Sequence, residues 1–143
     1  MYRDNGKMGL DVNQPINPGT GAISATVADS RLPAWAGAKW VRVNFILGPW
    51  TSPLDATKHE GRTWFETYDY IVDRYLAQGL RIYALIGAEA VRNSAADANA
   101  FRSAVPSTAA EQWMDDYVNN FGIIADHFRG RIHAYESFNE PND

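Results

Sequence analysis

The chain has 143 residues, the size of one ordinary domain, and its content of 45% hydrophobic and 21% charged residues is typical of a globular protein. A net charge of −4 excludes a broad basic surface for nucleic acid, and no apolar stretch in the sequence is long enough to span a membrane. Because there is no cysteine and the three His lack ligand spacing, disulfides and thiolate sites are excluded and no structural metal is expected.

The first third of the chain predicts two strands joined by a loop and a short helix. Residues 7–12 are predicted to form a short buried strand, and residues 13–21, rich in Asn, Pro and Gly, are predicted to form a loop. A short helix is predicted from residue 29 or 30 to about residue 37. The run KWVRVNFIL at residues 39–47 is so continuously apolar that it indicates a parallel strand covered on both faces.

The middle of the chain predicts a loop, an amphipathic helix and a third strand. Residues 50–62 form the polar loop, and the helix runs over about residues 63–78, with Gly79 at its C-terminal end. Its apolar side chains recur at three- and four-residue steps: Trp64, Phe65, Tyr68, Ile71, Val72, Tyr75 and Leu76. The third strand is RIYALI, residues 81–86.

The last third predicts a long connection, a second long helix and a fourth strand. Residues 88–106 are the connection, and Thr108 with Glu111 has the spacing of a capping box that opens the helix. The helix ends near Gly130 and carries one apolar face: Trp113, Tyr117, Val118, Phe121, Ile124, Ala125 and Phe128. The fourth strand covers residues 131–138.

The alternation of strands and helices predicts a parallel sheet with right-handed crossovers in a single domain, residues 1–143. An open doubly wound sheet and a shortened eight-stranded barrel both fit this order. No Gly-rich phosphate fingerprint follows the first strand, which argues against a dinucleotide fold. A complete barrel needs roughly 250 residues, so this chain corresponds to about half of one. We therefore expect that the native protein is longer or that another chain supplies the missing half.

Two groups of polar residues on the predicted strands indicate chemistry. Glu140 directly follows the fourth strand, between Asn139 and Pro141, and the proline disfavours helical angles at the acid. A carboxyl group held at the end of a sheet suits proton transfer. Arg42 lies in the middle of the apolar second strand, where a guanidinium needs a carboxylate partner. Glu136, which alternation places on the face of Glu140, is the partner available in this chain.

The stretch AYESFNEPN resembles the fourth-strand signature of the clan A glycoside hydrolases, which include the cellulase-type family five and the family thirty-nine xylosidases. KWVRVNF resembles their second strand and RIYALI their third. The resemblance covers nearly the whole chain but only the N-terminal half of such an enzyme. It implies a parallel (β/α)8 TIM barrel, here truncated to about its first four strands, in a parent enzyme that needs no metal or organic cofactor.

The resemblance also implies roles for individual residues. Glu140 would be the general acid/base of a retaining mechanism, and Asn139 would bond the 2-hydroxyl of the sugar being cleaved. Arg42 would support the nucleophile, a glutamate of the seventh strand that this chain lacks, so the chain alone is not expected to hydrolyse glycosides. Strict alternation places Asn139 and Glu140 on opposite faces, so a bulge or the end of the strand must bring both to one site.

Other residues and functions stay open at this point. Trp50 follows the second strand and either stacks on a sugar ring or packs its loop, with packing favoured, and Asn44 is a candidate hydrogen-bonding contact to substrate. Glu89, just past the third strand, is a weaker candidate on the same rim. The leading prediction is an O-glycosyl hydrolase acting on a β-linked oligo- or polysaccharide. A non-catalytic glycan-binding half-barrel and a self-pairing assembly unit are the alternatives, and the sequence does not decide whether the parent is secreted.

Overall fold

The computed structural model describes residues 9–12, 14–29, 31–91 and 108–137. Its elements, in chain order, are β1 (Gly9–Val12), α1 (Ala25–Ala28), α2 (Arg31–Trp35), β2 (Trp40–Asn44), α3 (Trp64–Leu76), β3 (Arg81–Ile86), a 3-10 turn (Ala88–Ala90), α4 (Thr108–His127) and β4 (Ala134–Ser137). The strands form one sheet in the order β1-β2-β3-β4, and every neighbouring pair is parallel. The predicted α/β fold with a parallel sheet is confirmed.

The register of the strands places polar residues on one face of the sheet. Asp11, Arg42 and Tyr83 are aligned across β1, β2 and β3, and Leu85 aligns with both Asn44 and Glu136. Because aligned residues of parallel strands share a face, these side chains lie on the same side of the sheet. We call this side the open face and the opposite side the helix face.

The helix face carries the hydrophobic core. Its strand residues Val41, Val43, Ile82, Ala84 and Ile86 are all fully buried. The continuous burial explains why the second and third strands are apolar without interruption. Phe45, just beyond β2, stacks on Tyr68 of α3 with ring centroids 4.6 Å apart, and meets Phe128 edge to face at 5.3 Å. Both long helices are therefore held against the end of β2.

The ends of α3 are defined by local hydrogen bonds and a glycine. Thr63 Oγ1 accepts a hydrogen bond from the Glu66 N–H at 3.3 Å, and Glu66 Oε2 accepts one from the Thr63 N–H at 2.8 Å. This reciprocal capping box satisfies two N–H groups that a helix start leaves unpaired. Gly79 takes the predicted left-handed conformation, with φ of +73°.

The structure differs from the sequence prediction at several element boundaries. The four-residue helix α1 was not predicted, β2 ends at Asn44, and β4 begins only at Ala134. The first strand was predicted to be buried, but of the residues described in β1 only Val12 is buried and Leu10 is 39% exposed, so that prediction is wrong. Val118, predicted to face the core, has 61% of its surface exposed, so that part of the prediction is wrong. The predicted capping box at Thr108 depends on a side chain that lies outside the described part of the chain. Most of the connection over residues 88–106 and all residues beyond Ser137 also lie outside it.

Candidate functional site

Arg42 connects three of the four strands on the open face. Its Nε donates to Glu136 Oε2 of β4 at 2.9 Å, and a terminal nitrogen donates to Asp11 Oδ2 of β1, also at 2.9 Å. The ion pair with Glu136 predicted from the sequence is present. Asp11 was not predicted, although its alignment with Arg42 across β1 and β2 is the signal that indicates it.

The charges of this group are only partly shielded from solvent. The side chains of Arg42 and Glu136 are 20% and 25% exposed, and that of Asp11 is 50% exposed. The hydrogen bond to Glu136 raises the pKa of Arg42 above its ordinary value, and the bond to Asp11 raises it further against the opposing effect of burial. Two carboxylates thus share one guanidinium, which ties β1 and β4 to β2.

Hydroxyl and indole groups of α3 fix the backbone at the end of β2. The Tyr68 hydroxyl accepts a hydrogen bond from the Ile46 N–H at 2.8 Å and lies 3.1 Å from the Asn44 carbonyl oxygen, to which it can donate. Trp64 Nε1 donates to the Ile46 carbonyl at 2.8 Å. Burial raises the pKa of the Tyr68 phenol far above its ordinary value, so the hydroxyl remains protonated as a donor.

The end of β3 is held in the same manner by α4. The Tyr117 hydroxyl donates to the Ile86 carbonyl at 2.8 Å, and Asn120 Nδ2 donates to the Ala90 carbonyl at 2.9 Å. The backbone of Leu47 donates to the carbonyl of Glu89 at 2.8 Å, which joins the chain beyond β2 to the chain beyond β3. The carboxyl ends of β2 and β3 are therefore held in fixed positions. Active sites of parallel barrels lie at these ends of the strands.

Asn44 is a buried polar residue at the last position of β2. Its side chain lies on the open face, in the row that contains Leu85 and Glu136, and it is only 4% exposed. Its Oδ1 atom is buried and accepts no hydrogen bond from any residue in the described part of the chain. A buried acceptor without a donor is uncommon in proteins, so Asn44 keeps an unused hydrogen-bonding site near the end of the sheet.

Trp50 packs inside its own loop. It is 1% exposed, its Nε1 donates to the Thr57 carbonyl at 2.8 Å, and its ring meets His59 edge to face at 5.1 Å. A Cβ on Gly21, whose φ is +77°, would lie only 2.7 Å from the indole edge, so glycine is needed there. This burial favours the packing role of Trp50 over a role as a platform for a sugar ring.

Asp55 organises the rest of that loop. Its carboxylate accepts hydrogen bonds from the backbone N–H groups of Thr51 and Thr57, both at 2.9 Å, and from the Thr51 hydroxyl at 2.8 Å. These bonds to the ionised form hold the pKa of Asp55 well below its usual range. The loop between β2 and α3 is therefore a fixed part of the rim.

A concavity of about 720 Å³ occupies the other half of the open face, toward the amino ends of the strands. Trp40, Tyr83 and Arg81 line it beside the Asp11–Arg42 ion pair. In a complete barrel this interior space is filled by side chains from the remaining strands. The concavity thus lies away from the strand ends that precede the Asn-Glu-Pro motif in the sequence.

Asn139 and Glu140 lie outside the described residues, which end at Ser137 on β4. Glu89, in the 3-10 turn after β3, is exposed. Within residues 9–12, 14–29, 31–91 and 108–137, no three His, Asp or Glu side chains come together as a metal site. None of the helices described is both long and apolar enough to cross a membrane.

No family model matches the chain, and no curated protein sequence matches it either. Among solved structures, the chain is similar to the hyperthermostable endo-1,4-beta-D-mannanase from Thermotoga petrophila RKU-1, solved with maltose and glycerol. The TM-score is 0.55 at 13% sequence identity, over 93% of this chain and 44% of that one. The chain therefore spans less than half the length of that enzyme. The likeness establishes the fold, in which four parallel strands and their helices correspond to the first half of a TIM barrel.

Proposed function

We propose that this chain is the N-terminal half of a retaining O-glycosyl hydrolase barrel, which cleaves β-linked oligo- or polysaccharides. Glu140 is its general acid/base, and the nucleophile belongs to a part of the barrel outside this chain. The observation that carries the proposal is positional. The sequence Asn139-Glu140-Pro141 begins two residues after Ser137, the last residue of the fourth strand in an all-parallel sheet.

Three further features support the proposal. Active sites of parallel barrels lie at the carboxyl ends of the strands, and the Asn-Glu-Pro motif follows the carboxyl end of β4 in the sequence. Arg42 on β2 is bonded to Glu136 on β4, so the strand before the motif is anchored from within the sheet. The fold is similar to that of a mannanase, an enzyme that acts on a β-1,4-linked polysaccharide.

The proposed chemistry assigns one task to each group. Glu140 protonates the departing glycosidic oxygen and later removes a proton from the water that releases the sugar. Asn139 bonds the 2-hydroxyl of the same sugar and strengthens that bond as positive charge develops on the ring. The second carboxyl, roughly 5–5.5 Å from Glu140, attacks the anomeric carbon to form the glycosyl-enzyme. Because one carboxyl cannot perform both tasks, this chain by itself lacks turnover.

Residues of the described rim support this chemistry in different ways. Asn44 Oδ1, buried without a donor among the described residues, accepts a hydrogen bond from a bound hydroxyl or from a neighbouring side chain of the completed barrel. Arg42 and Glu136 hold the strands in place rather than contact the sugar. Trp50 stabilises the loop that borders the site.

The test is Glu140→Gln in the full-length protein, assayed on aryl β-glycosides with good and poor leaving groups. A poor leaving group needs protonation, so its hydrolysis should fall by about 10²–10⁴-fold, while a good leaving group is affected much less in the first step. Asp126→Asn, which removes an exposed acid near the C-terminal end of α4, away from the carboxyl ends of the strands, is the matched control and should leave both rates unchanged.

Near-normal hydrolysis of the poor leaving group by the Glu140→Gln protein would contradict the assignment. If an oligosaccharide binds the parent and the Glu140→Ala proteins with the same heat of binding and neither protein cleaves it, the result would instead support a glycan-binding protein. Titration calorimetry with manno- and cello-oligosaccharides distinguishes these outcomes from turnover.

A further inference from the structure

His133, the residue before β4, bonds the neighbouring strand with both its backbone and its ring. Its N–H donates to the Ile82 carbonyl of β3 at 2.9 Å. The Ile82 N–H in turn donates to Nδ1 of the His133 imidazole at 3.1 Å. Since β4 begins only at Ala134, these two bonds extend the contact between the strands by one residue. One of the two acceptors is a side-chain nitrogen, where a regular ladder uses a backbone carbonyl.

The path of the chain before His133 explains why a side chain supplies this acceptor. Arg131 and Ile132 both donate their N–H groups to the Phe128 carbonyl, at 2.9 and 3.2 Å, so this stretch belongs to the turn that follows α4. A chain that is still turning does not run extended beside β3. The imidazole therefore takes the place of a backbone acceptor and satisfies a donor that a strand must pair.

The bond from Ile82 fixes the protonation state of the ring. A backbone N–H can only donate, so Nδ1 of His133 must accept and cannot carry a proton. A neutral imidazole meets this condition when its proton is on Nε2. A protonated imidazole carries an N–H at both nitrogens, so the Ile82 N–H would then face another donor and the bond would break.

The charged groups around His133 do not compensate for a proton on its ring. The ring meets Trp40 of β2 edge to face, with centroids 5.9 Å apart. The guanidinium carbon of Arg81 on β3 lies 5.4 Å from the centre of the same indole, so the nearby charge on the sheet is also positive. Arg131, in the turn before β4, directs its guanidinium to two aspartates of α3. Within residues 9–12, 14–29, 31–91 and 108–137, no carboxylate forms an ion pair with His133.

We propose that His133 is a proton-sensitive latch, which joins the start of β4 to β3 while the ring is neutral and releases it when the ring is protonated. The stability that the latch contributes is present above about pH 6.5, where the imidazoles of unfolded chains are mostly neutral. It is lost as the pH falls below that value, because protonation and the bond from Ile82 exclude each other. The latch concerns the pairing of two strands and does not depend on the proposed function.

The tautomer of His133 is the first measurement. A long-range correlation of ring protons with ring nitrogens by NMR distinguishes a nitrogen that carries a proton from one that does not. At about pH 7.5 the His133 signals should show an unprotonated Nδ1 and a proton on Nε2, as the bond from Ile82 requires.

Amide hydrogen exchange at Ile82 measures the latch itself. The protection of the Ile82 N–H, relative to intrinsic exchange at each pH, should fall about three- to tenfold between about pH 7.5 and pH 5, as expected for the loss of one hydrogen bond. Ala84, in the middle of β3, should keep its protection, which separates release of the latch from unfolding of the sheet.

Two substitutions of His133 separate the acceptor from the ring. His133→Asn places an amide oxygen near the position of Nδ1 that accepts at every pH, so the protection of Ile82 should stay high at both values. His133→Phe keeps an aromatic edge against Trp40 but has no acceptor, so the protection should be low at both. His59→Asn removes an imidazole that packs on Trp50 beyond β2, and this matched control should keep the pH response of the parent.

Three results would overturn the proposal. They are a proton on Nδ1 of His133 at neutral pH, equal protection of Ile82 at both pH values in the parent, and a pH response that persists in His133→Asn. If His133→Phe does not fold, the parent and the asparagine variant still decide among these results.

Discussion

Arg42 Nε lies 2.9 Å from Glu136 Oε2, so a side chain of β2 reaches over the intervening strand β3 to hold β4. The same guanidinium binds Asp11 on β1 at 2.9 Å. One residue thereby joins the two edge strands of the described sheet. The strand that leads to Glu140 is anchored through this contact, which links the sheet directly to the proposed chemistry.

Replacing the guanidinium should destabilise the sheet. Arg42→Met keeps much of the apolar length but leaves Asp11 and Glu136 as two half-buried carboxylates without a cation. We expect the free energy of unfolding to fall by about 1–3 kcal/mol, because water can only partly replace the guanidinium as a partner of the two carboxylates. Urea unfolding of the chain measures the change. Arg31→Met, which breaks an ion pair with Asp29 that is mostly exposed, should cost less than about 0.5 kcal/mol. Equal effects of the two variants would refute the special role of Arg42.

Two buried tyrosines of α3 should respond differently to loss of the hydroxyl. Tyr68→Phe leaves the buried Ile46 N–H without its acceptor, at a cost of about 1–3 kcal/mol. The Tyr75 hydroxyl is buried with no hydrogen-bond partner among the described residues, so Tyr75→Phe should be neutral or stabilising. Urea unfolding of both variants should show a larger loss in the free energy of unfolding for Tyr68→Phe than for Tyr75→Phe. A larger loss for Tyr75→Phe would contradict the hydrogen-bonding pattern.

The protein should lose stability in alkali. Burial raises the pKa of Tyr75 and that of Tyr117 to about 12, above the ordinary value of 10.0. Above pH 10 the unfolded phenols release protons while the folded ones keep them, so stability that is complete below pH 10 falls as the pH rises toward 12. Urea unfolding at intervals across this range should record the decline. Tyr75→Phe should make the decline shallower, and an unchanged slope would show that Tyr75 titrates normally.

The capping box of α3 predicts a local stability effect. Thr63→Ala removes the acceptor of the Glu66 N–H, and such substitutions at helix N-caps cost about 1 kcal/mol. Thr63→Ser keeps the hydroxyl and should restore most of the loss. Thermal unfolding followed by far-ultraviolet circular dichroism measures both variants. Equal melting temperatures for the alanine and serine proteins would mean that the cap contributes little.

The sequence alone predicted the parts of the fold that depend on the spacing of apolar residues and on the glycines that end elements. The third strand has the predicted bounds, Arg81–Ile86, because its apolar run is closed at both ends. The apolar stripe of α3 was identified by its spacing, and Gly79 by its place after the helix. The pairing of Arg42 with Glu136 followed from the cost of leaving a guanidinium unpaired among apolar residues.

What the sequence did not reveal depends on contacts between distant residues. Helix α1 has only four residues, and the side chain of its N-cap residue Ser24 makes no capping hydrogen bond, so the sequence carries neither a periodic nor a capping signal for it. Asp11 joins Arg42 only because the register of β1 and β2 aligns them. Val118 fits the apolar spacing of a core residue but is exposed, because spacing does not reveal which neighbouring elements are present.

The most direct test is a crystal structure of the full-length protein with a bound saccharide or inhibitor, in which the Glu140 carboxyl is located. The proposal requires that carboxyl at the mouth of the open face, roughly 5–5.5 Å from a second carboxyl group contributed from beyond this chain. A Glu140 side chain directed outward among the helices, or a carboxyl separation in the range of about 6.5–9.5 Å that inverting enzymes show, would contradict it.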